Sequence, residues 1–149
     1  MELTSFASQS WILGVAGLIV AFLVYRSVVA RPTGSAAERG VAGNIVNAPL
    51  AAGSGSREFR EAWEGIILPC LIEFEPEFLL ISAGFDAHEA DPLASLRLTE
   101  EDYVWITRKL IKIADEHCQG RIVSTLEGGY DLGALARSAA VHVKTLMQV

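Results

Sequence analysis

The sequence predicts an α/β domain with parallel strands, preceded by one transmembrane helix. EFLLISAGF, at residues 77–85, has four consecutive large apolar residues without polar alternation, which is typical of a strand covered on both faces. GRIVSTLEGGYD, at residues 120–131, contains a second such strand. Segments with helical spacing alternate with the strands, and this order favours parallel strands joined by crossover helices.

The amino-terminal segment is apolar and uncharged from Leu3 to Tyr25. A span needs about 20 apolar residues, so we expect a transmembrane helix over about residues 9–29, within a segment of residues 1–31. Arg26 and Arg31 follow the apolar run, which predicts a single-pass membrane protein with its carboxyl-terminal domain in the cytoplasm. A cleaved signal peptide is the main alternative, but no positive charge precedes the run and the Arg residues follow it. A buried core helix would instead leave the chain cytoplasmic, but the apolar residues surround the helix.

The rest of the chain, residues 32–149, is long enough for one domain with a core. A net charge of -6 and the lack of a basic cluster exclude nucleic acid as an expected partner. Cys70 and Cys118 are far apart and form no CxxC pair, so both are expected to act as small core residues.

The elements of this domain follow from local signals in chain order. NIVNAPL predicts a short strand, and the glycine-rich AAGSGS that follows predicts a loop. Helical spacing from Ser56 to about Phe74 predicts a helix that Pro69 kinks or ends. Thr99 and Asp102 have the spacing of a capping box at the start of the next helix. Its inward face is expected to carry Tyr103, Ile106, Leu110, Ile113 and His117. A last helix starts near Asp131, with Leu135, Ala139, Val143 and Leu146 expected to face inward.

Polar side chains follow the two strands at the edge where parallel sheets bind ligands. Asp86, His88 and Asp91 follow the first strand, and Glu127–Asp131 follow the second. We therefore expect Asp86 and Tyr130 to face one pocket if the strands are neighbours.

Each of these residues also has a structural interpretation. Asp86 could bind loop amides, and Asp91, which precedes Pro92, is a common turn former. His88 could be an exposed loop residue, and Tyr130 could be packed with its hydroxyl satisfied. Gly128 and Gly129 could serve only a positive φ at the turn.

The stretches SAGFDAHEADPLASLRLTEEDY and LEGGYDLGALARS resemble the carboxyl-terminal half of the zinc-dependent histone deacetylase family. The similarity is closest to its bacterial members, including acetoin-utilisation proteins and acetylpolyamine amidohydrolases. It begins at PTGSAAERGVAGNIVNAPL and covers about residues 32–146. The resemblance implies part of a parallel-sheet arginase/deacetylase-type fold.

The resemblance also implies an activity, namely hydrolysis of acetyl-lysine or related acyl-amides with Zn²⁺. It implies that Asp86 is a zinc ligand and that Tyr130 polarises the scissile carbonyl. Gly128 and Gly129 match glycines that line the acyl-lysine tunnel, and His88 is not a ligand in this family.

The stretch that resembles the family does not include the family's upstream half. In the family, that half carries the other two zinc ligands and the tandem-histidine base. No HH pair occurs in the sequence. We therefore predict that this chain alone is inactive and would need a complementing half-domain. The alternatives are a non-catalytic membrane-tethered binding module and the remnant of a truncated or fused gene.

Overall fold

The computed structural model describes residues 12–15, 18–21, 35–39 and 43–148. Its amino-terminal elements are the strands β1 (Ile12–Val15), β2 (Leu18–Ala21) and β3 (Ile45–Asn47). One long helical segment follows, made of α1 (Ser56–Ala62), a π-helical turn (Trp63–Ile67) and α2 (Leu68–Phe74). The chain then forms β4 (Leu79–Gly84), α3 (Glu100–His117), β5 (Ile122–Gly128) and α4 (Leu132–Leu146).

The five strands form one sheet in the order β3-β1-β2-β4-β5. β4 and β5 are parallel neighbours, with Ile81 opposite Ser124, which confirms the predicted pairing of the two carboxyl-terminal strands. β1 pairs in parallel with β3, whereas β2 pairs antiparallel with both β1 and β4. The sheet is therefore mixed, because a hairpin joins its two parallel pairs.

The prediction of a transmembrane helix over about residues 9–29 is wrong where the structure describes that segment. Ile12–Val15 and Leu18–Ala21 are strands of the sheet, and the other residues of the segment lie outside the described part. Within the described ranges, no helix is both long enough and apolar enough to cross a membrane. An uncharged apolar run suits a central strand as well as a membrane helix, because apolar groups surround both.

Pro69 does not end the helical segment, which continues through α2 to Phe74. It lies in the first turn of α2, where its missing N–H group is not needed. The segment is irregular directly before Pro69, in the π-helical turn that contains the fully buried Trp63 and Ile67. The helix ends at Glu75, which adopts the left-handed conformation with a φ of 51°.

The core lies where the helical segments and α3 pack against β4. Its largest fully buried side chains include Trp63, Phe59, Ile67, Leu71, Leu79, Ile81, Ile106 and Leu110. The predicted inward face of α3 is confirmed for Tyr103, Ile106, Leu110 and Ile113, and His117 is half-buried. Cys118 is buried as predicted, and Cys70 is half-buried.

The start of α3 is fixed by the predicted cap. Asp102 Oδ2 accepts a hydrogen bond from the Thr99 N–H group at 3.1 Å. The same buried carboxylate accepts from Ser56 Oγ at 2.6 Å and from Arg60 Nη2 at 2.9 Å. This cap therefore also joins the start of α3 to α1.

The predicted inward face of α4 is wrong at Val143, which is half exposed. The fully buried residues of α4 are Ala134, Ser138 and His142. The spacing of four from Leu135 through Ala139 to Val143 drifts around the helix, because four residues turn it by more than a full turn. The buried line runs one position earlier, through Ala134, Ser138 and His142.

Candidate active site at the ends of β4 and β5

The two loops that carry the polar side chains meet directly, because β4 and β5 are parallel neighbours. The Phe85 N–H group donates to the Gly128 carbonyl oxygen at 2.7 Å, just beyond the end of β4. The register shifts by one residue between Ala83 and Gly84, opposite Leu126 and Gly128. This shift brings Gly128 beside Asp86.

The Asp86 carboxylate is half-buried against the backbone of Gly128. Its Oδ1 atom is buried and has no hydrogen-bond partner among the described residues. Burial raises the pKa of Asp86, its own backbone N–H opposes the rise, and the negative charge of Asp91 adds to it. A buried carboxylate oxygen without a donor is costly. The role of Asp86 as a zinc ligand stays a prediction.

Gly128 and Gly129 leave room for neighbouring side chains. A Cβ atom on Gly128 would lie 2.9 Å from Asp86 Cγ and 3.0 Å from Asp86 Oδ1. Gly129 has a φ of +137°, and a Cβ atom there would lie 2.9 Å from Leu135 Cδ1. Close contacts with Asp86 and Leu135 therefore explain why neither position carries a side chain. The role of these glycines in lining a substrate tunnel stays a prediction.

Asp91 joins the two loops. Its Oδ1 accepts from the Leu93 N–H at 3.0 Å, which is the turn that the Asp-Pro step predicts. Its Oδ2 accepts from the N–H groups of Tyr130 and Asp131 at 2.7 and 3.2 Å. Partial burial alone would raise the pKa of Asp91, but these three N–H donors outweigh it, and the pKa lies below its usual value.

Tyr130 is held at its backbone and is open at its side chain. Its N–H group donates to Asp91, while 57% of the residue is exposed. The next residue, Asp131, caps α4 by accepting from the Ala134 N–H at 2.7 Å. The phenol therefore stands at the surface, on a backbone fixed from two sides.

His88 is buried, contrary to an exposed loop position, and its contacts point to α3. Its Nδ1 accepts from the Ala90 N–H at 3.0 Å, and its Nε2 lies 3.5 Å from Glu100 Oε1. Arg137 Nε donates to the same Glu100 oxygen at 2.6 Å. The hydrogen bond from Arg137 is the largest of the effects that lower the pKa of Glu100 to about 2.

A buried polar layer supports the loops from below. Tyr103 donates its hydroxyl to the Phe85 carbonyl oxygen at 3.2 Å, and burial raises its pKa. The His142 ring lies 5.7 Å from that of Phe85. Its Nδ1 and Nε2 atoms lie 2.7 Å from Thr107 Oγ1 and 2.9 Å from Ser124 Oγ. The layer links α3, α4 and β5 directly under the residue that precedes Asp86.

The described side chains do not by themselves fit a catalytic zinc ion. Such an ion takes three protein ligands, and the described residues contain no group of three His, Cys, Asp or Glu that could hold a metal. Asp86 offers one free carboxylate oxygen, whereas the carboxylate oxygens of Asp91 already accept backbone donors. The structure thus supplies one ligand position of the kind that the family resemblance implies.

The sequence pattern misses two features of this site. The link from Asp91 to Tyr130 joins positions 39 residues apart, and the Asp-Pro step gives only a local turn signal. His142 appears as an ordinary helix-face residue because its partners come from two other elements. Only the polar residues at helical spacing within α4, Ser138 and His142, indicate a polar buried line.

Comparisons with known proteins match the fold and both loops. The histone deacetylase domain model matches residues 28–146. The chain is 50% identical over 106 residues to type-2 histone deacetylase 1 of Dictyostelium discoideum. It is 43% identical over 105 residues to the chloroplastic histone deacetylase 14 of Arabidopsis thaliana. Among solved structures, the HDA15 HD domain superimposes with a TM-score of 0.71 at 37% identity.

These matches cover most of this chain and a small part of the other proteins. The Dictyostelium match spans 71% of this chain and 7% of that protein, and the Arabidopsis match spans 70% and 25%. The HDA15 match spans 78% of this chain and 33% of the solved chain. The chain therefore corresponds to about a third of a solved domain of this fold.

Proposed function

The chain belongs to the histone deacetylase family, and from this premise we propose that it supplies one part of an amide-hydrolysing site for acetyl-lysine or related acyl-amides. The observation that carries the proposal is the carboxylate of Asp86, which has a buried oxygen without a donor beside the loop of Tyr130.

Tyr130 is proposed to act on the substrate's carbonyl group. Tyr130 is 57% exposed, and its phenol can donate a hydrogen bond to the carbonyl oxygen, which becomes negative when the amide carbon is attacked. The hydrogen bonds from Tyr130 and Asp131 to Asp91 fix the backbone, so the phenol swings only about its side-chain bonds. Fixing a donor in advance reduces the reorganisation needed when charge develops.

The chain alone is proposed to be inactive. Attack on an amide needs an activated water and a base, and the described side chains near Asp86 form no set that could hold a metal to activate it. The completing residues are proposed to come from the remaining part of a deacetylase-family domain. Zn²⁺ is the cofactor implied for the completed site.

The test is an assay of the purified chain with added Zn²⁺ and a fluorogenic acetyl-lysine peptide. We expect no turnover above a Zn²⁺ blank, and less than one tightly bound zinc per chain after dialysis. The probable deacetylase of Archaeoglobus fulgidus, 45% identical over 94 residues, is the positive control. Turnover by the chain that a hydroxamate inhibitor abolishes would contradict the proposed inactivity.

A non-catalytic binding module is the second candidate. The observation in its favour is that the described residues contain no group of three possible metal ligands, while Tyr130 is exposed. Titration calorimetry with an acetyl-lysine peptide separates the two, because this candidate requires binding without added metal.

Membrane attachment of the chain, with the carboxyl-terminal domain in the cytoplasm, is proposed from the sequence, whereas a helix that spans the membrane through residues 9–29 is not. β1 and β2 lie within that segment. Carbonate washing of membranes from cells that express the full chain tests it, and recovery in the wash would contradict attachment.

A further inference from the structure

A groove with a volume of about 590 Å³ lies between α3 and α4. Residues at helical spacing line each wall, namely Val104, Arg108 and Ile111 on α3, and Val141 and Lys144 on α4. From Val104 to Ile111 the α3 wall spans about 10 Å along the helix axis. The groove therefore has the size of a small-molecule site, which typically measures about 300–1,000 Å³.

The groove lies away from the candidate active site. Its α4 wall begins at Val141, which is about 15 Å along the helix axis from the cap residue Asp131. Tyr130 precedes that cap and is not among the lining residues. A ligand in the groove would therefore occupy a second site, and its binding does not depend on the proposed function.

Apolar side chains supply part of the lining. Val104, Ile111 and Val141 are half-buried, so each keeps part of its apolar surface toward the groove. Thr145, which also lines the α4 wall, donates its hydroxyl to the Val141 carbonyl oxygen at 2.7 Å. That hydroxyl is satisfied within its own helix. The groove thus offers an alkyl chain apolar contacts on both walls.

Two cations line the groove without an acidic neighbour. Arg108 and Lys144 are exposed, and in the part of the chain that the structure describes neither side chain forms an ion pair or a hydrogen bond. By contrast, Lys109 of the same helix pairs with Glu64 at 3.0 Å. The lining residues include no Asp or Glu. Unpaired cations beside apolar side chains are complementary to a ligand that is both anionic and apolar.

The helices that form the groove are locally positive, although the chain carries a net charge of -6. α4 contains Arg137 and Lys144 and no Asp or Glu. Residues 103–114 of α3 contain three cations and no acid. A cleft lined by charge of one sign raises the local concentration of ions of the opposite sign. An anion would therefore be drawn to this groove from a surface that elsewhere repels it.

We propose that the groove binds a free medium-chain alkyl carboxylate, with the carboxylate at Arg108 and Lys144 and the chain against Val104, Ile111 and Val141. An extended chain of about eight carbons has nearly the length of the α3 wall. A protein partner fits less well, because a stable interface has about 20–30 residues a side. An anionic membrane surface fits less well, because the net charge of the chain repels it.

The first experiment is titration calorimetry of the full chain with octanoate, kept below its micelle concentration. Hexanoate should bind roughly tenfold more weakly than octanoate, because each buried CH₂ group raises the affinity about fourfold. Octylammonium has the chain with the opposite charge, and acetate has the charge without the chain. Neither of these two should bind measurably.

Two variants remove the cations of the groove one at a time. Arg108→Gln and Lys144→Gln should each weaken octanoate binding about threefold, since an exposed ion pair contributes modestly. Both positions are exposed, and circular dichroism checks that the variants fold. The matched control is Lys112→Gln, an α3 cation that pairs with Glu116 and does not line the groove. It should bind octanoate as the unaltered chain does.

Methyl NMR of the unaltered chain locates the ligand without any substitution. Octanoate should shift the methyl resonances of Val104, Ile111 and Val141. The methyl resonances of Leu126 and Leu132, which lie on either side of Tyr130 in the sequence, should stay unchanged.

Several outcomes would overturn the proposal. These are no binding of octanoate, equal binding of octylammonium, and an affinity unchanged in both glutamine variants. Shifts at Leu126 and Leu132 in place of the groove methyls would put octanoate at the candidate active site. Sedimentation of the chain with vesicles of phosphatidylcholine and phosphatidylglycerol, without binding of octanoate, would assign the two cations to a membrane surface.

Discussion

Asp91 shows how one short side chain orders a site built from two loops. Its carboxylate accepts three backbone N–H groups, one from its own turn and two from the loop of Tyr130. Hydrogen bonds to a charged acceptor are about twice as strong as neutral ones. Tyr130 thus owes its backbone position to a residue on the other loop.

Asp91→Asn should loosen the Tyr130 loop. The amide side chain keeps the shape but loses the charge, so we expect a loss of about 1–3 kcal/mol in the free energy of unfolding. Urea unfolding gives that value, and hydrogen exchange should show faster exchange at Tyr130 and Asp131. Asp115→Asn, at an exposed position of α3, is the matched control and should change neither measurement.

The same carboxylate predicts an acid dependence. Because the folded pKa of Asp91 lies below its usual value, its contribution is present above that value and is lost as the pH falls through the folded pKa. Stability below pH ~4 should therefore fall less steeply in Asp91→Asn than in the unaltered chain. Equal slopes would show that the three hydrogen bonds contribute nothing.

Gly128→Ala should displace Asp86. The added Cβ atom would lie 2.9 Å from Asp86 Cγ, and φ at this position is not in the left-handed region, so the cost comes from the contact alone. Overpacking of this kind costs about 1–3 kcal/mol. Gly65→Ala is the control, because nothing lies within 4 Å of a Cβ there. A crystal structure of Gly128→Ala with Asp86 unmoved would contradict the prediction.

At the scale of elements, the polar layer under the site depends on one protonation state of His142. Thr107 Oγ1 donates to the Tyr103 carbonyl oxygen at 2.5 Å, so it accepts from His142 Nδ1–H. His142 Nε2 then carries a lone pair and accepts from the Ser124 hydroxyl. A neutral His142 ring on α4 can therefore hydrogen-bond Thr107 of α3 and Ser124 of β5 at the same time. Burial lowers the pKa of His142, which favours this neutral form.

His142→Gln should remove a pH dependence between pH 7 and 5. The folded pKa is lowered, so the contribution of the neutral ring is full above the unfolded pKa of ~6.5 and declines as the pH falls toward the folded pKa. Urea unfolding across this range should show a shallower slope for the variant.

The elements from β4 to α4 are the ones that the sequence predicts best. Their apolar runs and the capping signal at Thr99 are local, and local signals fix where an element begins and which face it buries. Val143 escapes prediction because an apolar residue at helical spacing can belong to either of two faces. The free carboxylate of Asp86 depends on the absence of donors in other elements, which spacing does not report.

At the scale of the whole molecule, the amino-terminal hairpin occupies the middle of the sheet. β1 and β2 lie between β3 and β4, so they join the two parallel pairs. Composition predicts apolar surroundings for this segment but does not say whether protein or lipid provides them. The pairing of Leu18 with Ala83 is a contact between distant positions, which no local pattern contains.

Deletion of residues 1–31 tests this position. Because β3 and β4 would both lose a neighbour, we expect the remaining chain to lose cooperative urea unfolding, as its total stability is about 5–15 kcal/mol. Circular dichroism against urea concentration gives the measurement. An unchanged unfolding midpoint would mean that the segment is an appendage, as a membrane anchor would be.

The central position of the hairpin also sets an order of events during synthesis. β1 and β2 leave the ribosome first, yet the partner of β2 begins only at Leu79. At about 5–20 residues per second, the hairpin waits roughly 3–12 s before β4 can pair with it. During that interval an uncharged apolar segment has no sheet to join, and a chaperone that shields it would determine how much newly made chain reaches the folded state.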